Sequence, residues 1–149
     1  MSPIVFLALI ITVTAWASAA NVLQRRRWRK KLAKLSSELH MAYSHDDRFG
    51  LADRVAEHFP IPGVASLRVI DLLYASEGKG YRYLFSAEYT NGVIRSKYRI
   101  LRAVTFVESR GASDAAVWST LTLAPDNLPL IEQYRHLANH HAPPSTAGS

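Results

Sequence analysis

From Met1 to Gln24 the chain carries no charged side chain, and from Arg25 to Lys34 it carries seven cations and no acid. Few structures accommodate such a junction. Ile4 to Ala20 is apolar apart from Thr12, Thr14 and Ser18, whose hydroxyls can bond back to the carbonyls of a helix. As a helix, Pro3 to Leu23 would span roughly 30 Å, one hydrocarbon thickness. Residues 1–24 therefore read as a single transmembrane helix. Ala17-Ser18-Ala19 has the small-x-small form of a signal-peptide cleavage site. Against cleavage, no Lys or Arg precedes the run, and the RRRWRKK block follows where it would resist translocation. The same asymmetry predicts an N-terminus outside and residues 25–149 in the cytoplasm.

The basic block absorbs the charge of the whole protein. The 149 residues contain 18 Lys and Arg against 12 Asp and Glu, and seven of those cations lie in this block. The remainder is nearly neutral, which argues against nucleic acid as a partner. Arg25, Arg26, Arg27, Trp28, Arg29, Lys30 and Lys31 are expected at the headgroups of anionic lipids, Trp28 at the interface and each charge contributing about 1 kcal/mol. There is no cysteine, so disulfides, thiolate metal sites and a cysteine nucleophile are excluded. Arg outnumbers Lys thirteen to five, in keeping with a bacterium of high GC content and hence an inner-membrane protein.

Beyond the anchor the periodicity predicts an α+β fold: connector helices, a four-stranded antiparallel meander and a C-terminal helix. Residues 25–45 form a basic juxtamembrane segment and an amphipathic connector in which Trp28, Leu32, Leu35, Leu39 and Ala42 or Tyr43 share a face. That face could also zip with a second copy into a homodimer. Residues 46–141 form the domain and 142–149 a disordered tail. Asp46 or Asp47 caps a helix with Leu51, Val55 and Phe59 on one side, ended by Pro60, Pro62 and Gly63. Strands follow over 67–74, 81–90 and 93–100, with a bulge near Leu101, and a fourth strand carries Val117, Trp118, Leu121 and Leu123. A closing helix from Asp126 or Asn127 has Leu130, Ile131, Tyr134 and Leu137 as its stripe.

Asn91-Gly92 between alternating runs predicts a two-residue hairpin. Tyr89 then faces Ile94, Phe85 faces Tyr98 and Tyr83 faces Ile100, with Glu88 opposite Arg95 and Ser86 opposite Lys97 on a solvated face. In this register Arg95, Lys97 and Arg99 form a cationic stripe, either an edge defence or a docking surface. The aromatic row is expected in the core.

The stretch from Arg82 to Glu108 has Phe85, Glu88-Tyr89-Thr90, Gly92, Arg99 or Arg102, and Val104 to Glu108. It resembles an uncharacterised bacterial membrane-associated domain whose hairpin reads Phe-x-x-x-Tyr-Thr-x-Gly before an Arg-rich strand. His58 to Leu73 and Leu121-x-Leu123-x-Pro125 follow the same pattern, so the resemblance covers about half the chain. It implies a membrane-linked α+β domain and carries over no catalytic residues.

No Gly-x-Ser-x-Gly elbow, P-loop or dinucleotide fingerprint occurs. His136 and His140 are one helical turn apart but lack a third ligand, and Asp46-Asp47 beside His45 read as capping residues. No catalytic, cofactor or metal site is therefore expected. The sequence points to a membrane-anchored interaction or scaffold protein with a partner it does not identify. The alternatives are a small hydrolase or transferase, for which His58, Asp71 and Arg99 would have to converge, and a lipid or small-ligand sensor using Tyr83, Phe85, Tyr89 and Tyr98.

Overall fold

Pro3 stands in the first turn of a helix, where its missing N–H costs nothing, and neither glycine nor a second proline occurs before Gly50. The computed structural model, which describes residues 2–92, 99–110 and 117–140, accordingly has one unbroken helix, α1 (Pro3–Glu38). The expected membrane helix, and the connector as far as Glu38, are segments of this element, whereas Ala42 and Tyr43, expected on the connector's helical face, lie in a strand instead. Thr12, Thr14 and Ser18 each donate to a carbonyl one turn earlier at 2.8 Å, which satisfies them without water. Every side chain from Pro3 to Leu23 is exposed, and this stretch is long and apolar enough to cross a membrane. On the predicted connector face, Leu32 and Leu35 are buried. The helix ends where His40 adopts a φ of +54° and the Met41 N–H bonds the Ser36 carbonyl at 2.9 Å, a left-handed C-terminal cap.

The chain divides into two compact units, Met1–Leu35 and Ser36–Ser149. In the second, an antiparallel meander runs in spatial order β1 (Ala42–Ser44), β2 (Val64–Glu77), β3 (Gly80–Asn91), β4 (Ile100–Arg110) and β5 (Val117–Leu123). The strands expected over 67–74, 81–90 and around Val117–Leu123 are present. Of the one expected over 93–100, residues 93–98 lie outside the described residues and β4 begins at Ile100, and the three-residue β1 is a further strand. Helix α2 (Leu51–His58) starts on the Asp47 carboxylate, which accepts from the N–H groups of Leu51 at 2.8 Å and Ala52 at 3.0 Å. Helix α3 (Leu130–His140) begins later than Asp126 or Asn127, with the Gln133 N–H on the Pro129 carbonyl at 3.0 Å.

The expected hairpin register is overturned. Tyr89 pairs with Ile100, Phe85 with Val104, Tyr83 with Phe106, Glu88 with Leu101 and Ser86 with Ala103, so β4 is displaced by six residues. Asn91 is not a turn residue here: it extends β3 along β2 by pairing with Val64, and the Gly92 N–H bonds the Gly63 carbonyl at 2.7 Å. The displacement leaves the parity of the faces intact and sets Val104 and Phe106 against the aromatic row. The gain from burying that apolar pair outweighs the local turn preference. The expected bulge near Leu101 is also absent, since β4 pairs without a shift on both sides.

The irregularities are in β2, between Ala65 and Arg68 and between Ile70 and Leu73, and each contains a non-glycine residue in the left-handed region, Ser66 (φ +54°) and Asp71 (φ +52°). The second shift reverses the alternation, so Val69 and Leu72 both reach one core. That core joins Leu51 and Val55 of α2 to Tyr83, Phe85, Tyr89, Val104 and Phe106. The opposite face is not solvated at Ser86, as the hairpin alternation suggested: Ser86 is fully buried under α3, with Tyr134 beside it.

Gly80 pairs with Ser109, and a Cβ there would overlap the Glu108 carbonyl, whereas one at Gly50 would meet open space. Gly80→Ala should lower domain stability by about 3 kcal/mol, while Gly50→Ala, strained only by its φ of +61°, should cost about 1 kcal/mol. Chemical unfolding of the detergent-solubilised chain checks both values.

Candidate functional site

The β3–β4–β5 register sets the first candidate. Tyr81 pairs with Glu108, Tyr83 with Phe106, and Glu108 in turn with Ser119, so these residues of three adjacent strands share one sheet face. Together with Arg54, Glu57 and His58 of α2, and Lys79 and Gly80, they line a cleft of about 620 Å³. Its size suits a small molecule. Tyr83 stacks on Phe106 and on Tyr81 with ring centroids 6.3 and 6.1 Å apart, and Phe49 lies 5.6 Å from Tyr83. The cleft thus has aromatic walls and a charged rim.

The polar groups here are oriented by one another. Arg54 Nε lies 3.0 Å from Glu108 Oε1, a charge contact without hydrogen-bond alignment. Burial, reinforced by the Glu108 charge, pushes the Tyr83 phenol above its ordinary value near 10, with Arg54 opposing the shift. His58 Nδ1 is 3.0 Å from the Arg54 carbonyl oxygen, and its Nε2 is 2.9 Å from Ser119 Oγ.

A second cluster surrounds Asp71. Its carboxylate Oδ1 accepts from the Tyr43 hydroxyl and from His45 Nδ1, both at 2.9 Å, while its N–H donates to the His45 carbonyl at 3.1 Å. The Tyr134 hydroxyl donates to the Asp71 carbonyl at 2.9 Å, so its only proton is committed there, and Ser86 Oγ must donate to Tyr134 at 2.7 Å. These bonds hold the short edge strand β1 and helix α3 onto the bulge of β2. Burial pushes the Tyr134 phenol well above its ordinary value near 10.

His58, Asp71 and Arg99 do not converge. His58 faces Ser119, Asp71 faces Tyr43 and His45, and Arg99 binds Glu88 Oε1 at 2.9 Å and the Ser66 carbonyl at 3.1 Å. Arg95 and Lys97 of the expected stripe lie outside the described residues. Arg68 also approaches Glu88, at 3.8 Å. Tyr83, Phe85 and Tyr89 are buried in the core, so the aromatic row is not an open ligand platform; Tyr98 lies outside the described residues. Of the basic block, Arg25, Arg26, Arg27, Arg29, Lys30 and Lys31 are exposed and Trp28 is half-buried. The His136 and His140 rings lie tilted to one another with centroids 4.0 Å apart, and no group of three metal-ligating side chains occurs among the described residues.

Reading along the chain does not disclose Arg54, Tyr81, Glu108 and Ser119 as neighbours of His58. Only strand pairing joins β5 to α2, and no local spacing encodes it. No protein-family model matches the chain, and neither the curated proteins nor the solved structures give a significant match.

A phenol raised in the folded state stabilises the fold fully below its unfolded value and loses that contribution as pH rises beyond it. Domain stability should therefore fall above about pH 10. In Tyr134→Phe the alkaline decline should be shallower, and stability at neutral pH should drop by about 1–3 kcal/mol through the loss of both hydroxyl contacts. Urea unfolding from pH 7 to 11 measures both effects.

Proposed function

We propose that this is a single-pass bacterial inner-membrane protein, anchored by Pro3–Leu23 with its N-terminus outside, whose small cytoplasmic α+β domain acts as an interaction or scaffold module. The observation that carries this reading is the exposed apolar stretch of α1 continuing, without a break, into seven cations. Lipid would cover a surface that costs about 25 cal/mol per Å² to leave in water, and the cations would stay on the cytoplasmic side at anionic headgroups. Arg25, Arg26, Arg27, Arg29, Lys30 and Lys31 with Trp28 make that headgroup contact. The basic helix directly after Ala17-Ser18-Ala19 favours retention over cleavage.

The interaction reading has its own support in the sheet. Among the described residues β5 pairs only with β4, and its seven residues carry neither charge nor proline. Edges lacking those guards accept strands from other chains. The resemblance of the Arg82–Glu108 stretch to a membrane-associated bacterial domain supports the membrane-linked α+β reading and adds no activity.

Orientation reporters fused after Ser149 should be active in the cytoplasm, and the full-length chain should stay in the membrane fraction after alkaline washing. Neutralising Arg25, Arg26, Arg27 and Arg29 while introducing Ser2→Lys should weaken or invert the orientation. Periplasmic reporter activity from the unmodified chain, or a mature N-terminus at Ala20, would refute the anchor. In-cell crosslinking that captures no protein, including a second copy, would refute the module.

A further inference from the structure

We propose that the cleft beside α2 is an ester-hydrolysing site in which Ser119 is the nucleophile and His58 its general base. The proposal goes beyond the anchored-module reading and does not depend on it, because the residues concerned lie between Arg54 and Ser119, within the Ser36–Ser149 unit.

The hydrogen-bond polarity is fixed by one carbonyl. His58 Nδ1 lies 3.0 Å from the Arg54 oxygen, and a carbonyl only accepts, so Nδ1 carries the proton. In the neutral ring Nε2 then holds a lone pair. Ser119 Oγ, 2.9 Å from Nε2, must donate its proton to it. A serine hydroxyl donating to an imidazole whose other nitrogen is held by a third group is the arrangement that activates a serine nucleophile. Here a main-chain carbonyl takes the place of the usual carboxylate, and the Phe106 ring, 5.9 Å from the imidazole, packs beside it.

The same cleft supplies the remaining requirements. Tyr81, half-exposed, with Tyr83 and Phe106 behind it offers an aromatic wall for an apolar acyl or alcohol group. Arg54 is engaged by Glu108, whereas Lys79 makes no ion pair among the described residues and is the charge available to oppose a developing oxyanion. The chemical class is a small, apolar carboxylic ester. Ser119 Oγ adds to the ester carbonyl carbon, its proton passes to His58 Nε2, and the carbonyl electron pair moves to oxygen. Collapse breaks the bond to the alcohol oxygen, which leaves with the proton from Nε2. Water then cleaves the acyl–Ser119 bond, giving up one proton to Nε2, which returns it to Ser119 as the carboxylic acid departs.

The test uses the full chain in detergent, with a fluorophosphonate probe and the p-nitrophenyl ester of a short fatty acid. Peptide mass spectrometry should find the phosphonate on Ser119. Ester hydrolysis should fall to background in Ser119→Ala and at least about 100-fold in His58→Ala, with cooperative thermal unfolding retained by both. Ser119→Cys gives a second readout in an otherwise cysteine-free chain. Iodoacetamide should alkylate that thiol at least about tenfold faster with His58 present than with His58→Ala, as expected for a thiol activated by a neighbouring base. The proposal is overturned by a folded chain that takes no phosphonate on Ser119, by hydrolysis persisting in Ser119→Ala, or by equal alkylation with and without His58.

Discussion

The pairing of Tyr83 with Phe106 and Phe85 with Val104 is the contact on which the rest of the domain depends. It sets β4 against β3 over ten residue pairs without an irregularity. Because β5 pairs on β4 in the same unbroken fashion, Ser119 falls beside Glu108, and the cleft floor follows from that single register. At Gly80 the backbone of β4 occupies the space a Cβ would need, so only a residue without one fits there. A hairpin closed at Asn91-Gly92 would have placed Tyr98 and Ile100 under the aromatic row and left Val104 and Phe106 elsewhere.

The two faces of this sheet are covered by different chemistry. α2 seals one face with Leu51 and Val55 over an aromatic core. On the other, α3 brings Tyr134 to Ser86, while the Ala103 N–H donates to Gln133 Oε1 at 2.9 Å. Polar groups so buried are tolerable only when every one has a partner. Asp71 completes this arrangement from within β2. A left-handed Asp is less costly than most residues there, and the bulge it occupies lets neighbouring Val69 and Leu72 serve one core while its carboxylate holds Tyr43 and His45.

The elements set by short-range periodicity were legible in the sequence. The apolar run, the Leu51–Val55 stripe with its Asp47 cap, the prolines after α2, and the strands through Tyr74 and Phe85 depend on neighbours within a turn or a pleat. The register was not legible, because a shift of six preserves the alternation on both strands, and the only local signal, the Asn91-Gly92 turn preference, points to Ile94 where the sheet places Ile100 opposite Tyr89. β1 is too short to carry a period, and Ser66 and Asp71 give no sequence sign of a positive φ. The cleft was hidden for the same reason as the register: His58 and Ser119 meet only after three strands have paired.

The chemistry of the Ser36–Ser149 unit rests on its own sheet faces, and the β3–β4 register decides which side chains those faces present. The natural chain contains no cysteine, which allows disulfide formation to report strand pairing directly. A chain carrying Glu88→Cys with Leu101→Cys should oxidise readily to an intramolecular disulfide, since facing strand positions have the required Cα separation. A chain carrying Glu88→Cys with Arg95→Cys, the pair that a two-residue hairpin would join, is the competitor under the same conditions. Oxidation of the second pair in preference to the first would contradict the register, and with it the cleft.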